Sequence, residues 1–440
     1  MFKMAPILSL ILALFLAETA IAGVAAPRAA SSLLKRQASH SNQQTIWQKS
    51  RSDPVAAAQL VLKIKDVNNA NAASWASDNM VQIKKEDNTQ VPWASGISFD
   101  APDIPNWSGN GFTNIPQTTG NFRLESDISV KDNHGNSAKI FYYVNKSYNP
   151  SSIKRAVVVW PGYYRESWLY VNYVGNAYKI AQQDMGVSGD EVLIIAPMFL
   201  NTDDKNAGGV AKGQIYFQST GWEAAGVSRG PNNFTMSSFK LMDEVLAHLL
   251  DSGNFPNIEK VILAGHSMGA QANLRYAILT NRPTSDPLGF LIANPASFLY
   301  VDGDRNESTD NCGNYDQWPN GIGGSATVPA YARDRVENEK DQLVSNFRSR
   351  DVFFAFGLND NGGTTGNCAK NTQGSTRVAR GANYIISLSE MNGGFPGNFK
   401  AQFYPRISHQ DYVMLAHPVS MQYMFGGSYS QSMLDEATGN

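Results

Sequence analysis

The stretch VILAGHSMGAQANLRYA, Val261 to Ala277, runs four apolar residues into a glycine-flanked serine and then into helix formers. Gly-x-Ser-x-Gly is a cheap pattern in a chain with 37 glycines in 440 residues, so its flanks must decide its meaning. Val261-Ile262-Leu263-Ala264 reads as a short buried strand and Gln271 to Ala277 as a helix. Gly265-His266-Ser267-Met268-Gly269 is therefore predicted to be the sharp turn of a nucleophile elbow. Such a turn strains the serine backbone and brings strand and helix close together, which excludes bulk two positions to either side. Gly265 and Gly269 stand there. A helix starting at Met268 would aim its free N–H groups and positive dipole end at an oxyanion forming beside Ser267 Oγ. A plain tight turn is the alternative.

The elements around the elbow indicate a fold class. Phe122 to Val130 and Ala138 to Val144 alternate as strands of a hairpin turning at Asp132 to Asn136. Ala156 to Trp160, Glu191 to Ala196, Val261 to Ala264, Gly289 to Ala293, Val352 to Phe356 and Ala401 to Tyr404 are short apolar runs, as in strands covered on both faces. Helical patterns over Tyr170 to Gln183, Ser237 to Ser252, Gln271 to Leu279, Thr376 to Met391 and Pro418 to Met424 alternate with them. Right-handed crossovers then give a mainly parallel α/β sheet flanked by helices, with an antiparallel N-terminal edge. Residues 37–120 read as a polar, irregular wrapping segment with one amphipathic stretch, Pro54 to Asp66, and the main domain as residues 121–440. Two long irregular insertions, about 201–235 and 301–346, follow core strands at the ligand-binding end of the sheet and are expected to cap it. Trp168, Trp222, Trp318 and Tyr331 either line an apolar pocket there or form the cap's own core.

A serine nucleophile needs a base and an acid, and after an elbow of this kind the chain order is serine, acid, histidine. His40, His134 and His248 precede Ser267, and His266 is fixed beside it by the turn. His409, in the loop after the last apolar strand, is then the candidate base, and His417 before Pro418 reads as packing or capping. Asp360 lies just past the carboxyl end of the penultimate strand, whereas Asp351 is roughly 20 Å away at the other end. Asp302 and Asp304 are the runners-up for the acid. Gly162, in Trp160-Pro161-Gly162-Tyr163, permits close backbone approach, so the N–H groups of Tyr163 and Met268 are expected to form the oxyanion hole.

The N-terminus has the layout of a secretory leader, residues 1–22: a positive charge, an apolar run too short for a comfortable span, then Ala20-Ile21-Ala22. Residues 23–36 form a candidate propeptide ending at Lys35-Arg36. Sequons at Asn106, Asn145, Asn233 and Asn306 fit N-glycans on an extracellular chain. In that compartment Cys312 and Cys368 would pair in one disulfide; separate buried thiols are the other reading. Two cysteines and six histidines without metal spacing leave no metal site to expect, and no cofactor. A net charge of −2 offers nothing to nucleic acid or an anionic membrane, and no later stretch suggests a membrane anchor.

Trp160-Pro161-Gly162 with Arg165, Ser237-Ser238-Phe239, Phe255-Pro256-Asn257, Gly265 to Gln271 with Arg275-Tyr276-Ala277, and Asn294 to Ser297 together resemble fungal secreted α/β-hydrolases of the serine esterase type. The likeness continues through Phe356 to Asp360, Cys368, Thr372-Gln373-Gly374, Arg380-Gly381 and Ser408-His409, covering about residues 120–425. It implies an α/β-hydrolase fold, a triad of Ser267, Asp360 and His409, and a Cys312–Cys368 bridge. Pro161-Gly162 stands where many such enzymes have His-Gly. The expected chemistry is hydrolysis of a small-molecule or lipid-like carboxylic ester, with acyl transfer as the near alternative. A peptidase or a non-catalytic binding protein on the same fold stands further off.

Overall fold

Among the described residues one sheet of nine strands organises the protein, and its order follows from the apolar runs and the connections between them. The computed structural model describes residues 41–63, 91–94, 96–363 and 366–439. The expected leader, the propeptide with Lys35-Arg36, and residues 64–66 of the amphipathic stretch lie outside the described residues. In chain order the strands are β1 (Trp107–Ser108), β2 (Gly111–Phe112), β3 (Thr118–Thr119), β4 (Phe122–Lys131), β5 (Ser137–Asn145), β6 (Arg155–Trp160), β7 (Val192–Pro197), β8 (Lys260–His266), β9 (Leu288–Ala293), β10 (Asp351–Gly357) and β11 (Phe399–Tyr404). β1 and β2 pair separately; the others lie in the order β11-β10-β9-β8-β6-β7-β5-β4-β3. β6 to β11 run parallel, and β3, β4 and β5 form the antiparallel edge. With the elbow between β8 and the next helix, this is the α/β-hydrolase fold.

Period-two alternation divides each central strand between two cores. Ala156, Val158 and Trp160 of β6, with Val261 and Leu263 of β8, face one core; Val157, Val159, Ile262 and Ala264 face the other. Residues 41–50 form α1. The remaining helices are α2 (Pro54–Lys63), α3 (Ser167–Asp184), α4 (Thr202–Ala207), α5 (Ser238–Leu250), α6 (Met268–Leu279), α7 (Arg333–Asn338), α8 (Lys340–Arg348), α9 (Cys368–Asn371), α10 (Arg377–Glu390), α11 (Asp411–Leu415), α12 (Pro418–Phe425) and α13 (Gln431–Thr438). α5, α6, α8 and α10 cover the first core, and α3, α11, α12 and α13 the second. Among the described residues no helix is long and apolar enough to cross a membrane.

Two expectations need correcting. The segment before residue 120 is more than an irregular wrapping: α1 inserts Ile46 into one core and Trp47 into the other. Ser50 Oγ of α1 accepts the Phe403 N–H of β11, at the end of the sheet, across 3.4 Å. The insertions are not irregular either, since the first holds α4 and the second α7 and much of α8. Their aromatics are largely core: Trp222 is fully buried and stacks on Phe199, which stacks on Trp160, and Tyr331 donates to Asp243. Trp168 belongs to α3 and is buried there.

Cys312 of the second insertion and Cys368 at the start of α9 are disulfide-bonded, with Cα atoms 5.7 Å apart and a sequence separation of 56. Asn106, Asn233 and Asn306 are exposed. Asn145 is half-buried, and its Oδ1 accepts the Ile194 N–H at 2.7 Å inside the sheet. The disulfide closes a loop long enough to stabilise the fold by about 4 kcal/mol in the chain-entropy model. Cys312→Ser with Cys368→Ser should therefore melt about 5 °C lower in calorimetry, and an unchanged Tm would show that the bridge constrains nothing.

Candidate active site

Ser267 sits between β8 and α6 with φ 55° and ψ −117°, a left-handed conformation that L-residues rarely hold without support. The support is close packing. A Cβ at Gly265 would lie 2.5 Å from the Gly269 carbonyl carbon, and one at Gly269 would lie 2.6 Å from the Pro161 oxygen and 2.8 Å from the Trp160 oxygen. The second clash matters most. It means that α6 begins directly against the Trp160-Pro161 end of the loop after β6, the loop that carries Tyr163. Met268 opens α6, where the first N–H groups have no acceptor within the helix.

His409 Nε2 lies 2.8 Å from Ser267 Oγ, and His409 Nδ1 lies 2.7 Å from Asp360 Oδ2. The other Asp360 oxygen accepts from Arg377 Nη1 at 2.8 Å. Asp360 is buried, whereas the His409 side chain is 20 % exposed. The hydrogen-bonded line is thus shielded at Asp360 and open to solvent at His409. Asp351 pairs with Lys260 at the far end of β10, and Arg305 bonds the backbone carbonyls of both Asp302 and Asp304 in the insertion. His417 caps α12 and stacks on Tyr404 at 3.6 Å, as its position before Pro418 suggested. His266 is buried with its ring 4.7 Å from that of His409, and burial holds it well below the usual histidine range.

Several residues that shape the site had no reading of their own in the sequence. Arg377 supplies the second bond to Asp360. Asn294 donates from Nδ2 to the Ser408 carbonyl and accepts the Gly357 N–H, both at 2.8 Å, tying the His409 loop to β10. Arg165, noted only as part of a motif, makes a two-bonded buried pair with Asp204 at 2.8 and 3.1 Å, with backbone φ 65°. Asp204 also accepts the N–H groups of Phe112 and Asn201, so one carboxylate anchors the Tyr163 loop to α4 and β2. On the outer side of that loop Tyr163, Tyr164 and Trp107 stand 54 %, 46 % and 42 % exposed, with Tyr164 edge-on to both neighbours. No group of histidine, cysteine and acidic side chains suited to a metal occurs among the described residues.

No protein-family profile matches the chain, and no curated protein is significantly similar to it. Solved structures with similarity include LpqC, a poly(3-hydroxybutyrate) depolymerase from Bordetella parapertussis, at 19 % identity and TM-score 0.47, covering 71 % of this chain and 94 % of that one. A poly(aspartic acid) hydrolase-1 from Sphingomonas sp. KT-1 is 15 % identical with TM-score 0.43, covering 68 % and 98 %. An IroE-like serine hydrolase from Shewanella oneidensis is 12 % identical with TM-score 0.36, covering 69 % and 79 %.

Two carboxyl groups, the half-buried Glu166 and the buried Asp411, flank the site without joining it. Glu166 follows the Tyr163 loop, and Asp411 lies two residues past His409. Burial, reinforced by the charge of Asp411, raises Glu166 from the ordinary 4.5 to about 7. Burial raises Asp411 from 3.8 to about 6, against its bond from the Tyr412 N–H. Both therefore retain protons in the folded chain at pH values where the unfolded chain has lost them. Stability from these groups is full below about pH 4 and is lost as the pH rises through 6 to 7. Urea unfolding at pH 4.5 and 7.5 should show a smaller loss for Glu166→Gln than for the native chain, and equal losses would contradict this account.

Proposed function

We propose that the protein is a secreted serine hydrolase acting on a carboxylic ester, with Ser267 as nucleophile, His409 as base and Asp360 as the orienting acid. The observation that carries this reading is the unbroken hydrogen-bond line from Ser267 through His409 to Asp360, set at a strained elbow. In the first half-reaction His409 Nε2 takes the Ser267 proton as Oγ bonds to the carbonyl carbon. The oxyanion accepts from the Met268 and Tyr163 N–H groups. His409 then returns the proton to the departing alcohol oxygen, and the C–O bond breaks to leave an acyl-serine. A water molecule, deprotonated by the same nitrogen, releases the acid and restores the hydroxyl.

Ser267 and His409 are both partly open to solvent, which favours water over a second alcohol as acyl acceptor. Hydrolysis therefore ranks ahead of acyl transfer. The half-exposed rings of Trp107, Tyr163 and Tyr164 on the oxyanion side favour an ester with an apolar or lipid-like part. In keeping with the likeness to fungal secreted hydrolases, we assign residues 1–22 as a leader and 23–36 as a propeptide, with glycans at Asn106, Asn233 and Asn306. Amino-terminal sequencing and intact mass of protein from the medium, before and after glycosidase, check these assignments.

Ser267→Ala should fold as the native chain does and lose at least ~10³-fold in kcat toward chromogenic esters. Retained activity would remove Ser267 from the mechanism. Asp360→Asn should also lower kcat by about 10³-fold or more, because the amide favours the wrong imidazole tautomer. Greater damage from Asp302→Asn or Asp304→Asn would move the acid to the insertion.

A further inference from the structure

The two loops that bring the acid and the base together share a third partner from the opposite end of the chain. Gln43 of α1 is fully buried. Its Nε2 donates to Asn359 Oδ1 at 2.5 Å, and its Oε1 accepts the Arg406 N–H at 2.8 Å. Asn359 immediately precedes Asp360, and Arg406 lies three residues before His409. The partners are 316 and 363 positions away in the chain. A further bond, from the Asn359 N–H to the Ile407 carbonyl at 2.8 Å, joins the same two loops directly. Arg406 holds φ 63°, so its loop makes a left-handed turn at the residue that Gln43 grips.

We propose that Gln43 is a positioning residue for the triad: its amide sets the spacing between the Asp360 and His409 loops, so α1 is part of the catalytic apparatus and not only packing. The inference rests on the function proposed above. The geometry favours it over a purely structural role in two ways. A buried amide with donor and acceptor each committed to a different loop fixes their separation, whereas an apolar side chain of equal size would only fill the space. The bonds also reach the residue next to Asp360 and the turn that leads into His409 rather than the body of either strand. Trp47, one turn along α1, is locked against Tyr404 and His417, which keeps the helix from following a loop that moves. An α/β-hydrolase domain cut at residue 121 would keep every triad residue and lose this brace.

The test is a steady-state comparison of full-length native chain, Gln43→Met and Gln43→Ala on one soluble ester, with calorimetry on each. Gln43→Met keeps the length and packing of the side chain but neither bond. The expected result is a kcat lowered about 10- to 100-fold with KM within twofold, since misplacing a base by about an ångström costs that much. The rate of fluorophosphonate labelling should fall with kcat. Gln43→Met should melt near the native chain while Gln43→Ala melts lower, so that rate and stability separate. A Gln43→Met protein with kcat within twofold of native overturns the proposal, as does a loss confined to KM. If the native chain neither hydrolyses esters nor takes up the fluorophosphonate, the underlying function has failed instead, and a normal native rate with normal variants isolates the failure to Gln43.

Discussion

Everything in the site depends on keeping a buried carboxylate charged and within hydrogen-bond reach of one imidazole nitrogen. Asp360 is nearly solvent-free, and a carboxylate in that position is costly unless both oxygens are bonded. Arg377 takes one and His409 the other. The arginine comes from the first turn of α10, whose start is fixed by Thr376 capping the Ala379 N–H. Without that cation the acid would meet its desolvation through the imidazole alone. The line Arg377, Asp360, His409, Ser267 thus alternates charge and donor from the interior to the open surface.

Four loops at the carboxyl ends of the parallel strands must converge for this line to exist, and each is held by a different device. The elbow is held by glycines that let α6 press on the loop after β6. That loop is anchored by the buried Arg165–Asp204 pair, and breaking such a pair by removing one partner commonly costs about 3–5 kcal/mol. The acid and base loops are tied together by Asn294, by the Asn359–Ile407 bond, and by Gln43 from α1. The disulfide joins α9, which follows the acid loop, to the second insertion. Rigidity at this end of the sheet is what allows a reacting group to be placed before the substrate arrives.

Much of this was legible in the sequence because its signals are local. Buried parallel strands are short apolar runs, and β6 to β11 were found at nearly their observed limits. The elbow announces itself through two glycines whose Cβ positions are filled by backbone. Elimination points to His409, and the place just past a strand end to Asp360, as the partners of Ser267. What escaped depends on contacts far apart in the chain. Gln43 lies in Ser-Asn-Gln-Gln-Thr, a run with weak helix propensity, and its partners are more than 300 residues away. Helices α7 and α8 were hidden by their charge, because only Val336, Leu343 and Phe347 of them are buried, a sparse stripe in Arg333 to Arg348. Arg377 is an ordinary first-turn arginine until Asp360 is folded beside it.

The central claim is that the geometry around Ser267 makes its hydroxyl nucleophilic. The most direct measurement is to react the purified protein with a fluorophosphonate, digest it, and locate the adduct by mass spectrometry. A single phosphonyl group on the peptide containing Ser267, absent after heat denaturation before labelling, is the result this account predicts. A fully folded protein that takes up no label, or carries it on another residue, would contradict it.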